Sequence, residues 1–185
     1  MSLRAEQKAI SLHKIVSAAS KRLTKDGLKG TSIQDVMKDA GLTHGAFYAH
    51  FDNKEALTEA AFAQAIESRQ TKWVAGIKNE SFEGRLSQMA ESYLSKTHRD
   101  QKEFGCAIAA LASEIGKAND SFRLRYSDTI EQTINDIALD DENCIDESIL
   151  FLATMTGAIN LARNTQNQTF SNRILNACID HYRQS

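Results

Sequence analysis

Proline is absent from this 185-residue chain, and glycine occurs only 9 times. Few positions therefore interrupt a helix, since proline removes a backbone donor and glycine brings the entropic cost that weakens helix interiors. Long stretches rich in Ala, Glu, Lys, Gln and Leu favour helix throughout, so the expected fold is all-α. Cysteine is scarce as well: Cys106, Cys144 and Cys178 are odd in number, far apart and without a C-x-x-C pair. Neither a disulfide framework nor a zinc site is suggested, and no metal and no cofactor is expected. No run approaches the ~20 apolar residues that span a bilayer, and Met1 to Ile10 lacks the apolar segment of a secretory signal. A cytoplasmic protein without a membrane partner is the expectation.

What the chain does contain is ordinary for a globular protein: 42% hydrophobic and 25% charged residues, enough to bury a core. The length suits one full-sized domain or a small one fused to a larger one. The net charge of −2 conceals an asymmetry. Residues 1–54 carry 9 Lys and Arg against 5 Asp and Glu, leaving 13 against 19 for residues 55–185. A basic segment joined to an acidic body suits a phosphate-binding head on a body that does not bind nucleic acid, although solvated helices show the same asymmetry.

About nine helices are legible. From Ala5 to Lys25, the residues Ile10, Leu12, Ile15, Val16, Ala19 and Leu23 recur at spacings of three and four, as one face of a helix does. Asp26-Gly27 and Gly30 end it. Thr31-Ser32 caps a short second helix with Ile33, Val36, Met37 and Ala40 inward, and Gly41 stops it in the left-handed conformation. Thr43 can cap a third short helix through Phe51, with Phe47 and Phe51 inward. Asn53 or Asp52 then opens a long helix running toward Trp73 and Ile77. Beyond it the pattern predicts helices from Ser81, from Gly105, from Asn119 or Asp120 to the acidic loop 140–143, from about Cys144 to Arg163, and from about Ser171 to Arg183.

The short helix, glycine turn and second short helix of residues 31–51 have the parts of a helix-turn-helix, whose second helix brings its N-terminal residues to base edges in the major groove. Gly45 and Ala46 are small enough for close approach. His44 and Tyr48, at i and i+4, share a face, with the hydroxyl suited to phosphate and the imidazole to a base edge. Lys54 adds a cation at the start of the next helix. Singly, Phe47, Tyr48 and Phe51 would suit the core of any helical bundle, with His44 and Lys54 merely solvated. Cap, glycine, aromatic pair and lysine in one register make a more specific pattern.

Residues 31–57, Thr-Ser-Ile-Gln-Asp-Val-Met-Lys-Asp-Ala-Gly-Leu-Thr-His-Gly-Ala-Phe-Tyr-Ala-His-Phe-Asp-Asn-Lys-Glu-Ala-Leu, closely resemble the DNA-binding signature of the tetracycline-repressor (TetR/AcrR) family. The resemblance extends back through Gly27–Thr31 and Lys14–Ala19, over about the first 65 residues. It implies a DNA-binding head at residues 1–54, its family-type domain reaching to about 68, and a ligand-binding and dimerisation body at 55–185. By the same resemblance Thr43, Tyr48 and Lys54 face phosphates, His44, Gly45 and Ala46 face bases, and His50 lies near the backbone. Ser32 is a further phosphate candidate. Many relatives carry a clearly basic residue where this chain has His44, which makes that base contact dependent on protonation or tautomer.

The body resembles a recurring subgroup more weakly, through Phe104–Glu114, Gly157–Arg163 and Ser171–Leu175. It implies a homodimer through the last two helices, about 144–163 and 171–183, with small Gly157 and Ala158 allowing close approach; the alternative is packing within one chain. Trp73, Met89, Tyr93, Phe104, Phe122, Tyr126 and Met155 could line a cavity for an unidentified small-molecule effector, and each suits plain core equally. Cys106, near a helix start, could respond to oxidants or electrophiles, or serve as a small buried hydrophobe. Enzyme chemistry is not advertised: H-E-x-x-H, G-x-S-x-G and phosphate-cradling glycine loops are all missing, and the five histidines are scattered. The expectation is a repressor of double-stranded operator DNA, released by a small molecule. A DNA-binding regulator acting through Cys106 is the alternative.

Overall fold

The computed structural model describes residues 3–73, 77 and 81–184. Among these it has ten α-helices, three short 3-10 turns and no strand. The helices are α1 (Leu3–Gly30), α2 (Ile33–Asp39), α3 (His44–Phe47), α4 (Lys54–Trp73), α5 (Phe82–Tyr93), α6 (Lys96–Asp100), α7 (Ala107–Leu111), α8 (Asp120–Ala138), α9 (Ile145–Asn164) and α10 (Gln168–Gln184). The expected continuation of α4 from Trp73 to Ile77 falls on 74–76, outside the described residues.

α1 lies along α4 and touches α2, α7 and the 3-10 turn Lys102–Phe104. Its core stripe is Ile15, Ala19 and Leu23, all buried, whereas Ile10 and Leu12, predicted to share it, are exposed. The helix outruns its packing partner, so its first turns have nothing to pack against. At Gly27 the backbone turns to φ 72° and the axis kinks. An added Cβ there would stand 2.0 Å from Glu114 Oε1, whose carboxylate accepts the Lys29 N–H at 3.3 Å through Oε2. Gly27 thus serves both the turn and the close approach of a body residue.

One helix beyond the nine expected is α6. Its sequence, Lys-Thr-His-Arg-Asp, has no apolar stripe to read. It is capped by Ser95, whose hydroxyl accepts from His98 N–H at 3.2 Å. From α9, Arg163 donates to the carbonyls of His98 (2.7 Å) and Arg99 (3.2 Å), while buried Arg99 donates to Ser171 and Asn172 of α10. Charged hydrogen bonds hold the helix where hydrophobic burial cannot.

α9 is the centre of the body. Phe151, Leu152, Met155, Ile159 and Ala162 are buried in a core shared with α5, α7, α8 and α10. Its other side carries Leu150, Ala153, Gly157 and Leu161, exposed at spacings of three and four. Apolar on both sides, Glu142–Asn164 reaches a mean hydropathy of 1.3 over an 18-residue window, long and apolar enough to cross a membrane by composition. This corrects the expectation that no stretch approaches that limit. Two apolar faces, one of them packed in the core, raise the average without a lipid-facing surface on every side.

Candidate nucleic-acid interface

Ser32 caps α2, accepting the Asp35 N–H at 3.1 Å and donating to the Asp35 carboxylate at 2.7 Å. The helix ends as its glycine predicts: Gly41 has φ 67°, and Leu42 N–H closes onto Met37 O at 3.0 Å, the Schellman pattern. Arg22 of α1 clamps α2 through Asp39 at 2.6 Å. That hydrogen bond holds the Asp39 carboxyl below its ordinary range. α2 is thereby a fixed platform for α3.

α3 is shorter than predicted, four residues from His44 to Phe47, although His50 and Phe51 N–H still bond to Phe47 O at 2.9 and 3.0 Å. Thr43 occupies the N-cap without a side-chain cap hydrogen bond, contrary to expectation, which leaves its hydroxyl to the surface. Phe47 is fully buried and stacks on Phe51 at 5.8 Å between centroids. This anchor turns the opposite face outward. Thr43, His44, Gly45 and Tyr48 are exposed, Tyr48 to 64%, with His44 and Tyr48 edge to face at 5.8 Å. Ala46 is drawn half-buried against the core.

Nothing lies within 4 Å of a Cβ built on Gly45. The fold therefore has no steric need for glycine there, and the backbone lies open to anything that approaches α3. Lys54, first residue of α4, is half-buried and donates to the Leu28 carbonyl at 3.0 Å. One of its three donors joins α4 to the end of α1, leaving the ammonium others to offer. His50 is half-buried, with Nε2 2.8 Å from Ser11 Oγ of α1; burial, then the charge of Lys8, lowers its pKa. The helical periodicity of α1 does not single out Ser11. Only the fold brings it to His50, 39 residues away.

The effector candidates separate in the structure. Met89, Tyr93, Phe122, Tyr126 and Met155 are buried in the core, and the Tyr126 hydroxyl donates to Ile108 O at 2.8 Å, its pKa pushed up to about 12 by burial. Trp73 and Phe104 instead border a cavity of about 370 Å³ between α1, α4 and the segment from Ser92 to Gly105. Among the described residues, seven hydroxyl side chains line it, including Ser17, Ser20, Thr24 and Ser95, beside the apolar Ala65, Trp73 and Phe104. Thr24, on its wall, donates to the Glu103 carbonyl at 2.9 Å. Cys106 is buried at the N-cap of the five-residue α7. No cluster of His, Cys, Asp and Glu able to hold a metal occurs among the described residues.

Residues 15–61 match the family model described as bacterial regulatory proteins, tetR family. An uncharacterized HTH-type transcriptional regulator in the lacX 3' region of Lactococcus lactis subsp. lactis is 27% identical over 126 residues, which is 67% of this chain and 62% of the relative. The uncharacterized HTH-type regulator YerO of Bacillus subtilis is 38% identical over 48 residues, 26% of this chain and 17% of the relative. The chain thus matches less than two thirds of either relative's length. Among solved structures, a TetR transcriptional regulator from Chloroflexus aurantiacus superposes with a TM-score of 0.79 at 23% identity, covering 96% of this chain and 94% of that one. Reduced NemR of E. coli superposes with a TM-score of 0.77 at 15% identity, covering 94% of this chain and 96% of that one. Residues 15–61 thus match the DNA-binding model of the tetR family of bacterial regulatory proteins, and the whole chain shares the all-α fold of solved TetR regulators.

Proposed function

We propose that the chain is a sequence-specific DNA-binding transcriptional regulator, acting as a homodimeric repressor that a small molecule releases. Residues 1–54 form the DNA-binding head in this reading, and 55–185 the body. The observation that carries it is the outward row of α3: Thr43, His44, Gly45 and Tyr48 exposed on a helix anchored by Phe47, with a glycine the fold does not need sterically. Thr43 and Tyr48 meet phosphates, His44 reads a base edge, and Gly45 lets the backbone come close. Lys54 supports a phosphate with its remaining donors, and Ser32 and His50 border the contact.

The exposed stripe of α9, continued by Phe170 on α10, supports a four-helix interface with a second copy. Gly157, with open space where its Cβ would be, suits close approach there; Ala158 is buried within its own chain. The cavity, with its mixed polar and apolar lining, touches α1 of the head on one side and the body on the other. A ligand bound better when the two heads are wrongly spaced for successive major grooves shifts the population away from DNA. Sensing through Cys106 is the weaker reading, because the thiol is only 4% exposed.

Selection from a random duplex pool, followed by mobility shift, tests the central claim. A regulator forms a discrete complex with the selected duplex and much less with its scrambled counterpart; equal binding to both refutes sequence-specific regulation.

A further inference from the structure

The core stripe of α1, followed back toward its start, changes character. Ile15, Ala19 and Leu23 are buried, Ser11 is half-buried, and the positions that continue the same face are Leu12, Lys8, Ala5 and Arg4, whose two polar members are both cationic. On a wheel of about 100° per residue, Ile15, Lys8 and Arg4 lie within about 60° of Ser11, whereas Glu6 lies about 140° away. Residues 3–10 are exposed without exception. An inner helix face that turns cationic where the packed head ends is a poor design for burial. It suits a second, charged surface.

That surface adjoins α3. Ser11 donates to the Lys8 carbonyl at 3.0 Å and stands 2.8 Å from Nε2 of His50, just beyond α3. Lys8 is near enough for its charge to disfavour protonation of His50. The overhang from Leu3 to Ser11 spans roughly 12 Å at the rise of an α-helix, long enough to follow the duplex for several base pairs at about 3.4 Å per step. Among the described residues, no ion pair engages Arg4 or Lys8.

We infer that the overhanging start of α1 is a second DNA-contact surface, on which Arg4 and Lys8 neutralise backbone phosphates flanking the groove that receives α3, with the Ser11–His50 hydrogen bond fixing its position. The inference rests on α3 being the DNA-facing element. It adds affinity without sequence preference, because phosphates carry no base identity. It also makes α1 part of the footprint as well as a brace for the body.

The test is the salt dependence of binding to the selected duplex, read by fluorescence anisotropy between about 50 and 200 mM KCl. In the Arg4→Ala/Lys8→Ala double variant the slope of log affinity against log salt becomes shallower by about 0.9 for each phosphate no longer neutralised. Over that fourfold range the salt-induced weakening shrinks by roughly 3.5-fold per phosphate. The swap Arg4→Lys/Lys8→Arg keeps the wild-type slope. An unchanged slope in the alanine variant, with the wild type still binding specifically, overturns the inference and leaves the regulator reading intact. Weaker binding at an unchanged slope, or weakening shared by the swap, points to helix damage and also overturns it. Failure of the wild type to form a specific complex removes both.

Discussion

Two exposed helix faces, one on α3 and one on α9, each present a glycine with nothing within 4 Å of its missing side chain. What surrounds that glycine differs. On α3 it stands between Thr43, His44 and Tyr48, polar groups suited to a hydrated, charged polymer. On α9, Gly157 stands between Leu150, Ala153 and Leu161, an apolar stripe that a monomer rarely leaves uncovered. In the proposed reading both glycines permit close approach, and the chemistry of their neighbours distinguishes what approaches. Each face should lose its contact when given the other's chemistry.

The largest effect is expected at α9. Leu150→Glu with Leu161→Glu places two like charges on each face of a symmetric interface. Sedimentation should then report monomers, and DNA affinity should fall by about 10²–10⁴-fold as the second head loses its effective concentration. A variant that stays dimeric refutes the α9 interface. Next comes Gly45→Gln on α3, which replaces the poorest non-proline helix former with a good one. Up to about 1 kcal/mol of added stability is expected, while affinity drops roughly ten- to a hundredfold, about 1–3 kcal/mol. Opposite signs in melting and binding separate a contact position from a structural one; undiminished binding would show that α3 does not approach DNA so closely.

A third change acts on neither face but on the contact between α1 and Glu114. At Gly27, φ 72° disfavours any side chain, and Glu114 occupies the space. Gly27→Ala should cost about 1–3 kcal/mol, visible as a lower denaturation midpoint. An unchanged midpoint would mean that the kink relaxes freely.

The head was far more legible than the body, for a physical reason. Its turns depend on local chemistry, and Ser32, Gly41 and Asn53 each act within a few residues: Asn53, for instance, accepts the Ala56 N–H at 2.8 Å. The same local reading found the caps Ser81 and Asn119. It failed where distant groups decide. Thr43 has the right type for a cap but makes no such bond, α6 is held by Arg163 from another helix, and Lys54 turns toward Leu28. The aromatic residues gathered as cavity candidates are mostly core because periodicity registers an inward face without distinguishing a filled interior from a hollow one. The cavity beside Trp73 is lined in part by serines and threonines that periodicity treats as surface.

The smallest expected effect concerns His50, where the overhang of α1 meets the turn after α3. Burial first, and Lys8 second, lower its pKa from 6.5, so the unfolded chain takes up a proton more readily than the folded one. Stability from this group is therefore complete above pH 6.5 and is lost as pH falls through the lower folded value. His50→Gln, which can still hydrogen-bond Ser11, should remove that part of the decline between about pH 7.5 and 5.5 in chemical denaturation. Lys8→Met should reduce it partly by relieving the repulsion while leaving the burial. A decline of equal size in all three proteins would place the acid sensitivity elsewhere and would separate His50 from the electrostatics of α1.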